Sequence, residues 1–370
     1  MRQWRIGTIT TGILLILLGV LLLLKTFTNI DIKDILFYGW PVILILLGLE
    51  ILIFSLVKNK EGLKFSFFSI FIIFLAFSLT FLVYAIDEVG LFSEIERVID
   101  GENYTVDVET TLSLPDTVTE MSIDATNGYF KIIGKETDSI NITGTMTLFS
   151  EKDEASEDLE EIYSVKIIGN KLVININDSH KNLWFGNSPK ANLNIVIPND
   201  LLLKIDIVNG NIEMDNMLAS GNIENVNGDI VINNSNGEFD TKTVNGKISI
   251  TNNIGGITAE TTNGQISIAE IDGDLNLKTT NGDIQVNTST ISDDWKISTL
   301  NGKLTLDIPS DVDVKISADS EVSDVAGNIQ WINLNNDESY VGSKKEVTLG
   351  SGEHSIDLKT LSGKIEVNTR

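Results

Sequence analysis

"VNGDIVINNSNGEFDTKTVNGKISI", residues 226–250, contains Asn-Gly three times, at 227, 236 and 245, nine residues apart. Reading outward, the pair recurs as Asn209-Gly210, Asn227-Gly228, Asn245-Gly246, Asn263-Gly264 and Asn281-Gly282, a period of 18. Halfway between stand Ser220-Gly221, Asn236-Gly237, Gly255-Gly256 and Asp272-Gly273. The second and fourth residues after the glycine tend to be apolar: Ile230 and Ile232, Ile248 and Ile250, Ile266 and Ile268, Leu275 and Leu277, Ile284 and Val286. The residue before the turn pair is often apolar or Thr, as at Val226, Val244, Thr262, Ile271 and Thr280. Polar residues such as Asp229, Lys247 and Gln265 alternate with them. A period of two predicts strands with one buried face.

Asn-Gly is the signature of a two-residue hairpin turn, so an antiparallel meander is the first competitor. Residues flanking such a turn face each other on one side of the sheet. A meander would therefore set Val226 against Asp229, Val244 against Lys247 and Thr262 against Gln265. If the chain coils instead, each 18-residue turn stacks on the last, isoleucine on isoleucine inside and Asn on Asn at the corners. Gly and Asn tolerate the positive φ that a sharp corner calls for, and stacked asparagines can hydrogen-bond along the stack. The expected fold is an all-β parallel β-solenoid. Such a fold needs a cover at each end.

"IPNDLLLKI" (197–205) and its echo "IPSDVDVKI" (308–316) read as those covers. "LKTLSGKIEVNT" (358–369) repeats "LKTTNGDIQVNT" (277–288), which predicts a last coil of the same design after an excursion. "MSIDATNGYFKIIG" (121–134) and "YSVKIIGNKLVININ" (163–177) read as irregular earlier rungs. The acidic run "EKDEASEDLEE" (151–161) reads as a solvated loop or short helix between them.

The first part of the chain differs in kind. Residues 6–24, 35–57 and 65–86 are apolar, with Glu50 their one charged residue, and each is close to the ~20 residues that a helix needs to cross a bilayer. Three spans are expected, in a region 1–87, followed by a connector 88–115 and an extracellular solenoid domain 116–370. The connector contains a candidate amphipathic helix, "LFSEIERVI" (91–99). Arg2, Arg5, Lys58, Lys60 and Lys64 place the N-terminus and the second loop in the cytoplasm, and hence the residues after the third span outside the cell. The chain is thus expected to be a multi-pass protein of the cell membrane, with the lipid bilayer as one partner.

Charge divides the same way. Residues 1–86 hold 7 Lys/Arg and 4 Asp/Glu, so the 284 that follow hold 20 and 48, a net charge of −28. A surface of that sign repels phosphate backbones, which argues against nucleic acid as a partner. The chain has no cysteine and only two histidines, His180 and His354. Thiol chemistry and cysteine metal sites are therefore excluded.

Candidate sites are few. Gly12 and Gly19 lie seven apart on one face of the first span, suiting close contact with another membrane helix. Glu50, a carboxylate inside an apolar segment, is costly. It is protonated, hydrogen-bonded to another helix, lining a polar contact, or near enough to Lys58 to be solvated. Trp184 and Phe185, in "NLWFGN" (182–187), form either a surface contact patch or a cap on the solenoid end. "DGDLN" (272–276) begins like a calcium loop but lacks the later glycine and glutamate, so it reads as a corner. There is no nucleophile elbow, no phosphate-binding loop and no paired histidines. No catalytic, cofactor-binding or metal-binding residues are assigned, and the chain is read as non-enzymatic.

Two stretches carry a family resemblance. "GILLILLGVLLLL" (12–24) and "GWPVILILLGLEILI" (39–53) resemble the LiaF-like membrane region of bacterial envelope-stress proteins. "IPNDLLLKIDIVNGNIEMDN" (197–216) and the "NGDI"-type rungs resemble the toast-rack, or adhesin-type, β-solenoid domain. The first resemblance implies contact with a membrane histidine kinase that reports cell-wall damage. The alternative reading is a membrane-anchored adhesin or a module that binds a cell-wall polymer.

Overall fold

The computed structural model describes residues 102–150, 155–176, 188–334 and 341–370, and, nearer the N-terminus, residues 9–13, 15–17, 20, 42, 45–53, 56, 67, 71, 74 and 78. The chain divides into two units, Met1–Asp100 and Gly101–Arg370. Every described residue of the first unit is helical. No helix among the described residues is long and apolar enough to cross a membrane. The segments 6–24, 35–57 and 65–86 lie in large part outside the described residues, and the stretch 91–99 lies wholly outside them.

The second unit opens with β1 (Glu102–Ser113), β2 (Glu120–Lys135), β3 (Ser139–Ser150), the helix α1 (Ala155–Ile162), β4 (Tyr163–Ile168), β5 (Lys171–Ile176) and β6 (Lys190–Pro198). β1 falls inside the stretch read as a connector. The regular coils follow: β7 (Leu202–Asp215), β8 (Gly221–Asn227), β9 (Ile230–Asn236), β10 (Phe239–Asn245), β11 (Ile248–Ile254) and β12 (Ile257–Thr261). They continue through β13 (Ile266–Asp272), β14 (Leu275–Asn281), β15 (Ile284–Asn287), β16 (Trp295–Asn301) and β17 (Leu304–Ile308). The chain closes with β18 (Val314–Ser320), β19 (Val325–Gly327), β20 (Ile332–Asn333), β21 (Ser343–Leu349), β22 (His354–Ser362) and β23 (Ile365–Thr369).

Pairing is parallel wherever the repeat is regular. β8, β10, β12, β14 and β16 stack in one layer, and β9, β11, β13, β15 and β17 in the other. Ile248 pairs with Ile230 below and Ile266 above, and Ile250 with Ile232 and Ile268. All six are at most 1% exposed. Each such side chain contributes roughly 1.5–3 kcal/mol of burial, and the strands that carry them pair in parallel, like on like. The coil prevails over the meander.

The phase of the alternation differs from expectation at one position. Val208, Val226 and Val244 precede their asparagines yet are 43%, 40% and 42% exposed. Strand parity explains this: with Ile223 inward, Glu224 points out, Asn225 in and Val226 out. The inward position belongs to Asn225, Thr243, Thr261, Thr279, Thr299 and Thr360, each at most 6% exposed.

The covers lie elsewhere than the two Ile-Pro stretches. "IPNDLLLKI" is the corner from β6 into β7, and "IPSDVDVKI" the corner from β17 into β18. The first end is closed by antiparallel pairs, β1 with β3, β3 with β6, and β4 with β5, and by α1. α1 turns Ala155, Asp158 and Ile162 inward and sets Glu157 and Asp158 in its first turn, where the helix dipole favours acid. At the other end β22 slots between β16 and β18, and β23 between β17 and β19. The echo of 277–288 in 358–369 is thus one more coil, held under a lid formed by β18 to β21.

Candidate functional site

The two corners of each coil are built by different means. At the first, Asn209, Asn227, Asn245, Asn263, Asn281 and Asn301 stack, and each side-chain amide donates to Oδ1 of the asparagine one coil below, at 2.7–3.0 Å; Asn209 donates to Asn127. All six bonds run the same way, so they polarise one another. The glycine beside each asparagine is there for space. A Cβ on Gly210, Gly228, Gly246, Gly264 or Gly282 would stand 1.8–2.1 Å from the carbonyl oxygen of the glycine one coil below. Of these five, only Gly228 has the positive φ (142°) expected of such a corner. Threonines 243, 261, 279, 299 and 360 donate to the same column of glycine carbonyls at 3.0–3.4 Å.

Positive φ is concentrated at the opposite corner, on Asn216, Asn234, Asn252 and Glu270, again 18 apart. The sequence reading passed over this column, although asparagine at a fixed period, a residue that tolerates the left-handed region, was its visible signal. Glu270 ends the asparagine run. Its carboxylate accepts from the backbone and hydroxyl of Ser289, which hold it below the usual carboxylate range.

Two open grooves lie along the coils. One, of about 520 Å³, has Phe239 and Leu203 at its floor, with Glu238, Asp240 and Asp274 around it. The other, of about 450 Å³, runs past Asn234, Asn252, Asn253 and Glu270. Neither assembles reactive groups. On the outer face of the first layer, Asp206, Asp240 and Asp357 are each paired to a lysine two residues away, at 2.7–3.1 Å. Among the described residues no group of His, Cys, Asp and Glu could hold a metal ion. "DGDLN" is the corner between β13 and β14.

Glu213 joins two of the early strands. It accepts from the Tyr129 hydroxyl and, at 2.6 Å, from Lys131 Nζ, tying β7 to β2. The Lys131 bond first and the Tyr129 bond second hold Glu213 below its ordinary pKa, and the same contacts raise Tyr129 and Lys131. A carboxylate with a depressed folded-state pKa stabilises the fold above the unfolded pKa, and that contribution is lost as pH falls through the folded value. Denaturant titrations of residues 101–370 are expected to show stability falling below about pH 4.5. Glu213→Gln is expected to flatten that slope and to leave the difference between pH 6 and pH 8 unchanged.

The remaining candidates are placed as follows. Gly12 is helical and exposed, and a Cβ added there would meet nothing within 4 Å. Gly19, Trp184 and Phe185 lie outside the described residues. Glu50 is 5% exposed and hydrogen-bonded to Thr10, a residue the sequence reading did not single out.

Fold and corners together define a two-layered parallel β-solenoid held by stacked glycine, threonine and asparagine columns. The chain belongs to the Toastrack DUF4097 family, whose profile matches residues 98–368; the profile of the LiaI-LiaF-like transmembrane region matches residues 9–52. No curated protein matches the chain. Solved structures similar to it include a "putative adhesin" from Parabacteroides distasonis, 10% identical, covering 72% of this chain and 98% of that one, with a TM-score of 0.31. A "putative adhesin" from Bacteroides fragilis is 12% identical over 71% of this chain and 97% of that one, with a TM-score of 0.30. A "putative cell adhesion protein" from Clostridium sporogenes is 13% identical over 73% of this chain and 100% of that one, with a TM-score of 0.24.

Proposed function

We propose that the chain is a non-enzymatic, multi-pass protein of the bacterial envelope. Its segments 6–24, 35–57 and 65–86 cross the membrane, its N-terminus is cytoplasmic, and its solenoid stands outside the cell. It serves as a sensor, regulator or scaffold in cell-envelope stress signalling, through a membrane partner of the histidine-kinase kind. One observation carries this reading: a single chain joins a LiaI-LiaF-like transmembrane match at 9–52 to a Toastrack match at 98–368. Anchoring alone needs one span, so three apolar segments favour helices that make contacts of their own.

Co-purification in mild detergent tests this. The full chain is expected to recover a membrane protein that is lost when residues 1–87 are replaced by an unrelated single-span anchor. A deletion strain is expected to show an altered cell-wall-stress reporter. Unchanged recovery with the foreign anchor would defeat the reading. Capture of peptidoglycan by residues 101–370 alone would put a wall-binding module in its place.

A further inference from the structure

Glu50 sits in the helical stretch 45–53 and is 5% exposed. Its carboxylate meets the described helical stretch 9–13, forty residues away in sequence. Ile9 N–H donates to Oε1 at 3.1 Å, Thr10 N–H to Oε2 at 3.1 Å, and the Thr10 hydroxyl to Oε2 at 2.6 Å. Thr10 is itself 1% exposed. A carboxylate removed from water is costly unless hydrogen bonds replace its hydration. Two backbone donors and a hydroxyl are among the groups that do so here.

The arrangement also carries positional information. Each carboxylate oxygen takes one of two successive backbone donors. Sliding either helix by one residue moves its groups about 1.5 Å along the axis and about 100° around it, which breaks both contacts. A hydrophobic contact between apolar helices has no such selectivity, since neighbouring registers bury similar surface. Of the roles open to a carboxylate in this segment, solvation near Lys58 is inconsistent with its burial. What the helices leave outward is apolar: Ile16 is 69%, Leu49 49% and Leu52 61% exposed.

We propose that Glu50 is an internal register lock. From the second helical segment it accepts from the backbone and the Thr10 hydroxyl of the first, fixing how residues 9–13 and 45–53 align and leaving partner contacts to the outward apolar residues. Glu50 is a positioning residue here, and Thr10 its matching donor.

The chain has no cysteine, so introduced pairs are its sole thiols. The full-length protein in mild detergent receives one cysteine at Ile13 and a second at each of Leu46, Leu47, Gly48, Leu49, Ile51, Leu52 and Ile53 in turn, and disulfide yield is mapped by non-reducing gel. In the wild-type background one position is expected to dominate. Glu50→Leu is expected to spread the yield over neighbouring positions. Thr10→Val, which keeps both backbone donors, is expected to hold the maximum but lower its yield severalfold. Glu50→Gln retains one acceptor oxygen and is expected to fall between the two. Should Glu50→Leu fail to accumulate, the other two variants decide. A map with the same maximum and yield in the variants that accumulate would overturn the lock, as would a wild-type map without a dominant position.

Discussion

Gly264→Ala is expected to lower the unfolding free energy of the solenoid unit by about 3 kcal/mol, at the upper end of the usual cost of overpacking. The added methyl would lie 1.8 Å from the Gly246 carbonyl oxygen and 2.7 Å from its carbon. Neither can retreat far, because the column is equally tight below: a Cβ on Gly246 would stand 1.9 Å from the Gly228 carbonyl oxygen, and so on down the stack. The same oxygen accepts from Thr261, so moving it also strains a part-buried hydrogen bond. Gly264 does not have a positive φ, so backbone strain is not the cause. The control is Gly169→Ala, in the turn between β4 and β5. There φ is 65° and nothing stands within 4 Å of an added Cβ. That change is expected to cost about 1 kcal/mol, the conformational penalty alone. Denaturant midpoints of the two variants compare space with conformation as the reason for glycine.

Phe239→Ala is expected to cost about 4 kcal/mol, in the range for a deleted core aromatic. Phe239 is 2% exposed and stacks between Gly221 and Ile257 in the inward column of the first layer. Its ring fills the room left by the missing side chain of Gly221, whose Cβ would lie 3.2 Å from two ring carbons. The two positions therefore share one volume. Gly221→Leu alone is expected to destabilise by overfilling, and the pair Gly221→Leu with Phe239→Ala to recover a large part of the loss. Such non-additivity is the mark of residues in contact. Simple addition of the two single costs would show that they do not share the space.

The coil was legible in the sequence because its cause is periodic. An 18-residue repeat of inward isoleucine and cornered Asn-Gly leaves one stacking in which like meets like, and the pairing of Ile230, Ile248 and Ile266 follows from it. The reason for the glycines was not legible. Turn chemistry suggests φ, whereas the column of carbonyl oxygens, each 1.8–2.1 Å from where a Cβ would stand, exists only once coils are stacked. The exposed Val226 was misphased for a local reason: its neighbour Asn225, polar but 5% exposed, takes the inward position and donates to the Gly210 carbonyl at 2.6 Å. The end covers were misplaced because antiparallel pairs such as β1 with β3, Ser113 with Ser139 at one end and Glu102 with Ser150 at the other, leave no period to read. Of the candidate sites, Glu50 was marked by its charge in an apolar run, but Thr10 carries no such mark, and a contact across forty residues has no sequence signature.

The stacking itself can be measured with two spin labels, on Val231→Cys and Thr305→Cys in residues 101–370, a unit otherwise free of cysteine. Both positions face outward in one column, joined through Ser249, Ser267 and Gln285. With one coil per rung the labels are four rungs apart, and the expected mean separation is about 19 Å at about 4.8 Å per strand. A meander of nine-residue strands would set them eight strands apart, about 38 Å at the same spacing, and a distribution centred near that longer value would contradict the coil.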